Sequence, residues 1–339
     1  MLVIASFSLL LFNSLFKNKS KYINFFFSFV LVCTLICAAG FRTGGFDYVN
    51  YKNGFEWNSF REPVFKGLVT FLHTIHAPFQ CFLLIAATVT VLITYSYLLK
   101  SGNEIYWLSL LIFVSNYYIQ HDYIQLRIGL ACSIFLFQLY YLCKGNKKRA
   151  FLLWALACCC HFSMVIAGIS FFVSNKRIKK IENYLMVIIF SFCFLLGLKG
   201  LTVVSLAEYI PGISFYYKLY MAAIENGEGS VIKVYNPLYL TRYVVFFFCL
   251  LKRNVLEKRN PNIYYYLRLY SCGIFVFLLF TGIPTFAFRG SEIFFIIELI
   301  MFPSISFIFK NKNVGNIAVV LLALIFFGIN VFHNHLLGF

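Results

Sequence analysis

Arginines recur at the ends of the apolar segments of this chain, and this residue type could bind a phosphorylated substrate. The candidates are Arg42, Arg127, Arg242 and Arg289. A guanidinium group stays charged and offers a fork of N–H donors that matches two oxygens of a phosphate. The alternative for any single arginine is an anchor at the membrane interface. Four of them predicted on one face favour a set that binds a diphosphate.

Carboxylates are the second group of candidates, since one of them could accept the proton of an attacking hydroxyl. Asp47 is the first candidate base and Glu62 the second, while His161 is a third because imidazole titrates near neutral pH. The chain has only 12 acidic residues and contains no Asp-x-Asp or Glu-x-Glu pair. A site for Mg²⁺ or Mn²⁺ would use clustered carboxylates. The pattern therefore predicts an arginine clamp rather than a metal site, and no cofactor.

The polar stretch 41–63 contains aromatic residues beside Arg42 and the candidate bases Asp47 and Glu62. Tyr48, Tyr51 and Trp57 carry rings that could stack on the faces of sugars while nearby polar groups form hydrogen bonds. The alternative is the ordinary aromatic belt of a membrane interface. The stretch is predicted to be a folded, amphipathic cap that binds glycan, with an exposed connecting loop as the other interpretation.

The composition shows what must position these residues. Hydrophobic residues make up 61% of the 339 residues and charged residues only 12%, whereas soluble domains are about 25% charged. The apolar start of the chain is interpreted as a first transmembrane helix rather than a removed signal peptide. Because lipid cannot satisfy an open backbone, the spans must be helical. We therefore predict one all-α polytopic transmembrane domain, 1–339, with about 10–12 transmembrane helices.

The predicted spans follow the apolar runs. They are approximately 1–16, 22–40, 79–99, 105–120, 124–143, 184–203, 237–251, 263–283, 291–309 and 314–332.

The net charge of +17 comes from basic residues in short connections between apolar segments. The positive-inside rule explains this pattern, because Lys and Arg favour cytoplasmic loops. Basic side chains scattered over separate turns do not form one basic face, so nucleic-acid binding is excluded. With these turns inside, two large loops, 41–78 and 204–236, lie outside, and the chemistry is predicted on the external face.

The segment 150–173 decides the topology of the second half. A single crossing would place the basic clusters 176–180 and 252–259 outside, against the positive-inside rule. A re-entrant helix pair that enters and returns on the same side, with its turn near His161, removes this conflict. An undetected crossing elsewhere is the alternative. Non-helical backbone at that depth must be buried in protein or line a cavity, so the re-entrant pair predicts His161 beside the reaction chamber.

Short motifs along the chain resemble those of the Wzy/EpsG-like polymerases of bacterial O-antigen and exopolysaccharide synthesis. They comprise Arg42, Asp47, Tyr51, Phe55, Glu62 and Pro63 in the first external loop, Gln125, Leu126, Arg127, Leu130 and Ala131 in a later helix, Lys148, Arg149, His161, Phe162 and Ser163 around the re-entrant segment, and Arg289, Glu292 and Pro303. Cys160 precedes the histidine where an aromatic residue is commoner in the family.

This resemblance implies a membrane glycosyltransferase of the GT-C-like class in the bacterial inner membrane, with its active site facing the periplasm. Such an enzyme polymerises oligosaccharide repeat units that are linked to undecaprenyl diphosphate. Lipid-linked glycans, the bilayer and a chain-length regulator protein are then its partners. On this basis Arg42, Arg127, Arg289 and Arg242 bind diphosphate.

Other function classes remain open on the sequence. A flippase or transporter of lipid-linked oligosaccharides would share the spans and the basic turns, although paired halves with interrupted helices are not evident. An O-antigen ligase-type transferase would use the same lipid-linked donor. A membrane acyltransferase would use His161 as its base.

Overall fold

The computed structural model of the chain is mostly helical, and it describes residues 2–15, 21–100, 105–200 and 233–337, with the isolated positions 214, 218, 221, 222 and 226. Those residues contain no β-strand, so the all-α prediction is confirmed. The second predicted external loop, 204–236, lies largely outside the described residues.

Fifteen labelled α-helices give the framework of the described part. They are α1 Leu2–Leu15, α2 Lys21–Gly40, α3 Tyr48–Glu56, α4 Pro63–Thr74, α5 Phe79–Lys100, α6 Tyr106–Ile112, α7 Leu126–Cys143, α8 Lys147–Cys160, α9 Lys180–Leu198, α10 Pro237–Leu251, α11 Arg253–Glu257, α12 Ile263–Phe280, α13 Pro284–Phe295, α14 Glu298–Met301 and α15 Lys312–Gly328. Helix α6 continues as a π-helix, Phe113–Ile124, and α15 as a second one, Ile329–His333. Short 3₁₀ helices occupy Phe162–Phe171 and Pro303–Ile308.

Seven of the described helices are long and apolar enough to cross a membrane, which confirms a polytopic membrane protein. They are Tyr22–Gly40, Phe79–Lys100, Leu126–Cys143, Lys180–Leu198, Ile263–Phe280, Phe286–Ile308 and Lys312–His333. Three shorter apolar helices add to these. Most helices lie within a few residues of the predicted segments, but the segment predicted at 105–120 continues as a helix to Ile124.

Packing divides the single predicted domain into two compact units. One consists of residues 1–171 and 298–339, and the other of residues 172–297. The first unit is discontinuous in sequence, and Phe7 of α1 stacks on Phe327 of α15 with ring centroids 3.9 Å apart. The first unit holds Arg42 and Arg127, and the second holds Arg242 and Arg289.

The polar stretch 41–63 folds into a cap and does not remain an exposed loop. Helix α4 begins with Pro63 at its first position, where a missing N–H costs no hydrogen bond. Phe55, Phe60 and Phe65 pack around Phe82 of α5, with centroid distances of 5.5 to 6.0 Å. This aromatic core fixes the helices of the cap on the first unit.

Both π-helices contribute to a buried polar network in the first unit. The Asn116 side chain donates to Glu298 Oε2 over 2.6 Å, and Asn330 donates to the Asn116 side-chain oxygen over 3.0 Å. All three residues are buried. Buried polar groups are stabilising when they find such partners. The network therefore fixes the π-helix Phe113–Ile124 against the segment 298–337.

The segment 150–173 folds back on itself, as the sequence predicted. Helix α8 ends at Cys160, and His161 has an extended backbone. The 3₁₀ helix Phe162–Phe171 then returns along α8, because Trp154 Nε1 donates to the Met164 carbonyl over 3.0 Å and the rings of Phe151 and Phe171 lie 6.5 Å apart. A continuous helix would separate positions 151 and 171 by about 30 Å. The segment is a helical hairpin with His161 at its tip.

This hairpin predicts a specific cross-link. Cysteines placed at Phe151 and Phe171 are expected to be joined by a short bifunctional thiol reagent, identified by mass spectrometry of the digested protein. The control pair is Phe151 and Phe162. These positions are separated by about 14 Å along the axis of α8, so the short reagent should not join them. Absence of the first link in correctly inserted protein would mean that the segment runs straight.

Gly129 lets the end of the π-helix Phe113–Ile124 approach the first turn of α7. A Cβ atom at position 129 would lie 2.9 Å from Asp122 Oδ1 and 3.1 Å from the carbonyl group of His121. The first distance is shorter than Cβ contacts in real structures and the second is tighter than most of them, so the Asp122 side chain and the end of the π-helix would have to shift.

Gly129→Ala is therefore expected to destabilise the protein by about 1–3 kcal/mol, as overpacking of a core does. The measurement is thermal unfolding in detergent. Gly67→Ala in α4 is the matched control, since a Cβ there meets nothing within 4 Å; it should be neutral or stabilise by up to about 1 kcal/mol. Equal unfolding temperatures for both variants would contradict the close packing at Gly129.

Candidate functional site

Arg42 is a buried cation whose hydrogen bonds are incomplete. It lies just beyond α2 and is 4% exposed. Both terminal nitrogens donate to the Ile124 carbonyl at the end of the π-helix, each over 3.5 Å. Nε is buried and has no partner among the described residues. Burial lowers the pKa of Arg42 from its usual value, and an anionic ligand would stabilise the charged form.

Arg127 lies in the first turn of α7 and forms an ion pair with Glu62. Its Nη1 donates to both carboxylate oxygens, over 2.9 and 3.0 Å. Glu62 immediately precedes α4 and is 5% exposed. The Nε of Arg127 is buried without a partner in the described part of the chain. Glu62 therefore satisfies only part of the hydrogen-bonding capacity of the Arg127 guanidinium group.

Tyr51 of α3 lies between the two arginines. Its ring centroid is 5.7 Å from the Arg42 guanidinium carbon and 5.7 Å from that of Arg127. Its hydroxyl accepts the backbone N–H of Arg127 over 3.4 Å. Burial raises the pKa of Tyr51, so the hydroxyl stays neutral. A ring between two cations stabilises both, which makes Tyr51 a positioning residue of the pair.

The aromatic residues expected to bind glycan differ in access. Tyr51 is 3% exposed, so neither face of its ring is open to a sugar, whereas Trp57 at the end of α3 is 80% exposed. Tyr48 is half-buried and packs edge-on against Phe79 with centroids 5.6 Å apart. Trp57 has the accessible ring of the three.

Two further carboxylates belong to this neighbourhood. Asp47 precedes α3, is half-buried and contributes to the electrostatic environment of Arg42; Asn50 donates to it over 3.4 Å. Asp122 is fully buried beside Gly129, and neither carboxylate oxygen has a hydrogen-bond partner among the described residues. Asp47 is the more accessible of the two for proton transfer.

The hairpin tip lies at the same end of the first unit as Arg127. The turn 144–146 joins α7 to α8, and these helices pack together, so the end of α8 meets the start of α7. Cys160 lies within electrostatic range of Glu62. His161 Nδ1 is 2.7 Å from Ser163 Oγ and accepts the Ser163 backbone N–H over 3.2 Å. The structure therefore brings together Arg42, Arg127 and Glu62, and it places the His161 tip at the same end of the first unit.

The other two predicted arginines belong to the second unit. Arg242 of α10 is fully buried, and its fork is occupied by Glu292 of α13; Nη1 donates to Oε1, and Nη2 donates to Oε2 over 3.0 Å. Tyr239 also donates to Glu292, over 3.3 Å. Arg242 would have to leave this ion pair in order to bind a diphosphate. Arg289 on α13 is half-buried.

Sequence reasoning missed two partners of the site. Ser163 was part of a motif, but its contact with His161 depends on the extended backbone at the hairpin tip. The Ile124 carbonyl is exposed to Arg42 because a π-helix ends there, and no residue pattern identified a π-helix. Among the described residues no group of three or more His, Cys, Asp or Glu side chains could hold a metal ion.

Comparison with known proteins places the chain in a family. The model of the EpsG family matches residues 23–339, a range that includes the cap, the arginine pair and the hairpin. No curated protein and no solved structure gives a significant match. On the strength of a family match over nearly its whole length, the chain belongs to the EpsG family.

Proposed function

We propose that this protein is a glycosyltransferase that polymerises oligosaccharide repeat units carried on undecaprenyl diphosphate, on the periplasmic face of the inner membrane. Membership of the EpsG family indicates a membrane polymerase of the glycosyltransferase kind. The lipid-linked diphosphate, the periplasmic face and the residue roles are part of the proposal. The observation that carries it is that Arg42 is buried, that Arg127 is half-buried, and that the Nε atom of each is buried without a hydrogen-bond partner among the described residues.

The chemistry of a diphosphate leaving group matches this pair. The acceptor hydroxyl attacks the anomeric carbon of the donor sugar, and the bond from that carbon to the lipid diphosphate breaks with its electron pair. Negative charge therefore grows on the phosphate oxygens as the bond breaks. Cations that are already in place stabilise this charge more than they stabilise the ground state, which is the requirement for catalysis.

Diphosphate binding would also change the state of Glu62. In the structure Glu62 neutralises Arg127, at N–O distances of 2.9 and 3.0 Å. A phosphate oxygen that takes over Arg127 would leave Glu62 as a buried carboxylate with a weaker partner. Such a carboxylate can accept a hydrogen bond from the acceptor hydroxyl. Glu62 is then a base made available by the donor, while Asp47 is the accessible alternative for the proton of the acceptor hydroxyl.

The aromatic cap supplies a place for the glycan. Trp57 is 80% exposed at the end of α3, and an exposed indole ring beside polar groups can stack on a sugar. We propose that Trp57 binds the saccharide part of a lipid-linked substrate and that Tyr48 borders the same region. Arg289 remains a predicted ligand of a diphosphate oxygen.

Removal of the Arg42 guanidinium tests the clamp. Arg42→Ala is expected to lower the polymerisation rate by about 10²–10³-fold, the usual effect of losing one donor to a developing oxyanion. Arg42→Lys should restore little, because an ammonium group is a point charge without the fork. Arg127→Lys tests the second arginine while it keeps a cation beside Glu62.

The readout is glycan chain length made by purified protein from lipid-linked repeat units. Arg61→Ala is the matched control, since Arg61 is an exposed arginine of the same cap, and it should polymerise normally. Full-length glycan from both Arg42→Ala and Arg127→Lys would rule out the diphosphate clamp.

Chelation tests what stabilises the leaving group. Carboxylates are sparse in the sequence and arginines are predicted to balance the diphosphate charge, so polymerisation is expected to continue in EDTA at an unchanged rate. Loss of activity in EDTA that Mg²⁺ or Mn²⁺ restores would show that a cation performs the role assigned to the arginines.

A further inference from the structure

The tip of the hairpin fixes the position of a proton on His161. The backbone N–H of Ser163 lies 3.2 Å from His161 Nδ1 in hydrogen-bonding geometry. A backbone N–H can only donate, so Nδ1 must be the acceptor. A neutral imidazole has one N–H and one acceptor nitrogen. The proton of neutral His161 is therefore on Nε2.

This tautomer is unsuited to a general base. A histidine base must offer a lone pair to the incoming proton, and in His161 the lone pair of Nδ1 already accepts from Ser163. Nε2 carries its hydrogen, so towards any other group it is a donor. To act as a base through Nε2, the ring would have to move its proton to Nδ1 and lose the Ser163 N–H bond.

The location of the tip matches a donor role. His161 is half-exposed and follows Cys160, which is within electrostatic range of Glu62. Because α7 and α8 are joined by a short turn and pack together, the tip lies at the end of the first unit where Arg127 begins α7. A donor at this place lies at the same end of the first unit as the two arginines.

We propose that His161 donates a hydrogen bond from Nε2–H to an oxygen of the lipid diphosphate, and that Ser163 is the positioning residue that sets this tautomer. The proposal rests on the proposed function, since it needs a diphosphate at the arginine pair. His161 keeps its proton throughout. The hydrogen bond strengthens as the leaving oxygen gains charge, and the proton of the acceptor hydroxyl goes to a carboxylate.

The competing explanation is that His161 is only an N-cap residue of the 3₁₀ helix Phe162–Phe171 and has no role towards the substrate. A side chain that accepts the N–H two residues further along is the usual arrangement at the start of a helix, and Phe162–Phe171 starts there. A cap needs only the acceptor at Nδ1. A donor to the substrate needs the hydrogen at Nε2. The two roles can therefore be separated by substitution.

His161→Gln and His161→Asn separate them. Gln extends an amide donor to about the position of Nε2, whereas Asn keeps an acceptor near the position of Nδ1 and has no donor further out. His161→Gln is expected to stay within about 10-fold of the wild-type rate, and His161→Asn and His161→Ala to lose about 10²-fold. His73→Gln on α4 is the control for a histidine outside the proposed contacts.

Each other pattern of rates overturns the proposal. An active Asn variant with an inactive Gln variant means that His161 serves only as an N-cap of the 3₁₀ helix Phe162–Phe171. An equal loss of polymerisation rate in the Gln, Asn and Ala variants means that the reaction needs the basicity of the His161 imidazole and not a hydrogen-bond donor. Full activity in all three means that His161 has no part in the reaction.

A spectroscopic measurement tests the tautomer without any activity. The Cys-His dipeptide occurs once in the sequence, at Cys160–His161, so paired ¹³C-carbonyl and ¹⁵N labels identify the His161 amide in the wild-type protein by solid-state NMR. Correlation to the ring is expected to show a protonated Nε2 and an unprotonated Nδ1 at pH 7.5. A proton on Nδ1 would overturn the proposal, even if Arg42→Ala and Arg127→Lys abolish polymerisation as the proposed function requires.

Discussion

The burial of the Arg42 guanidinium group, with the partial burial of Arg127 beside it, is the constraint on which the first unit depends. Removing a cation from water costs several kcal/mol unless hydrogen bonds and opposite charge replace the water. Arg42 and Arg127 obtain this replacement from the Ile124 carbonyl, the Tyr51 ring and Glu62. The compensation is incomplete, because both Nε atoms are buried without a described partner. An anion that bonds to both groups would complete it, so ligand binding and stability are linked.

The compensating groups come from two parts of the first unit. The cap α3–α4 supplies Tyr51 and Glu62 and is fixed by its Phe core. The π-helix supplies the Ile124 carbonyl, and the buried network through Asn116 and Glu298 fixes that helix. Gly129 then permits the close approach of α7. The positions of the arginines therefore depend on the packing of the cap, the π-helix and α7.

The sequence predicted the parts of this structure that depend on composition and charge. Apolar length located the spans, and the positive-inside rule favoured a turn near His161, where the structure has the tip of a hairpin. It did not predict that Arg242 pairs with Glu292 or that Tyr51 is buried, because side-chain partners depend on tertiary contacts between distant segments. The π-helix was not predicted either, since no residue preference distinguishes it from an α-helix. Arg42 and Arg127 were among the four predicted arginines because a guanidinium fork matches the oxygens of a phosphate.

The discontinuity of the first unit has a consequence for biosynthesis. Residues 298–339 pack with residues 1–171, yet the whole of 172–297 is synthesised between them. During translation the early helices are therefore synthesised before their partners in this segment. Until then Asn116 lacks its hydrogen-bond partners, and Phe7 lacks the ring of Phe327. Lipid offers no hydrogen bonds to the exposed amide. A chain whose synthesis stops within the second unit would thus leave Asn116 without Glu298 and Asn330, the two partners that hold the π-helix in the complete protein.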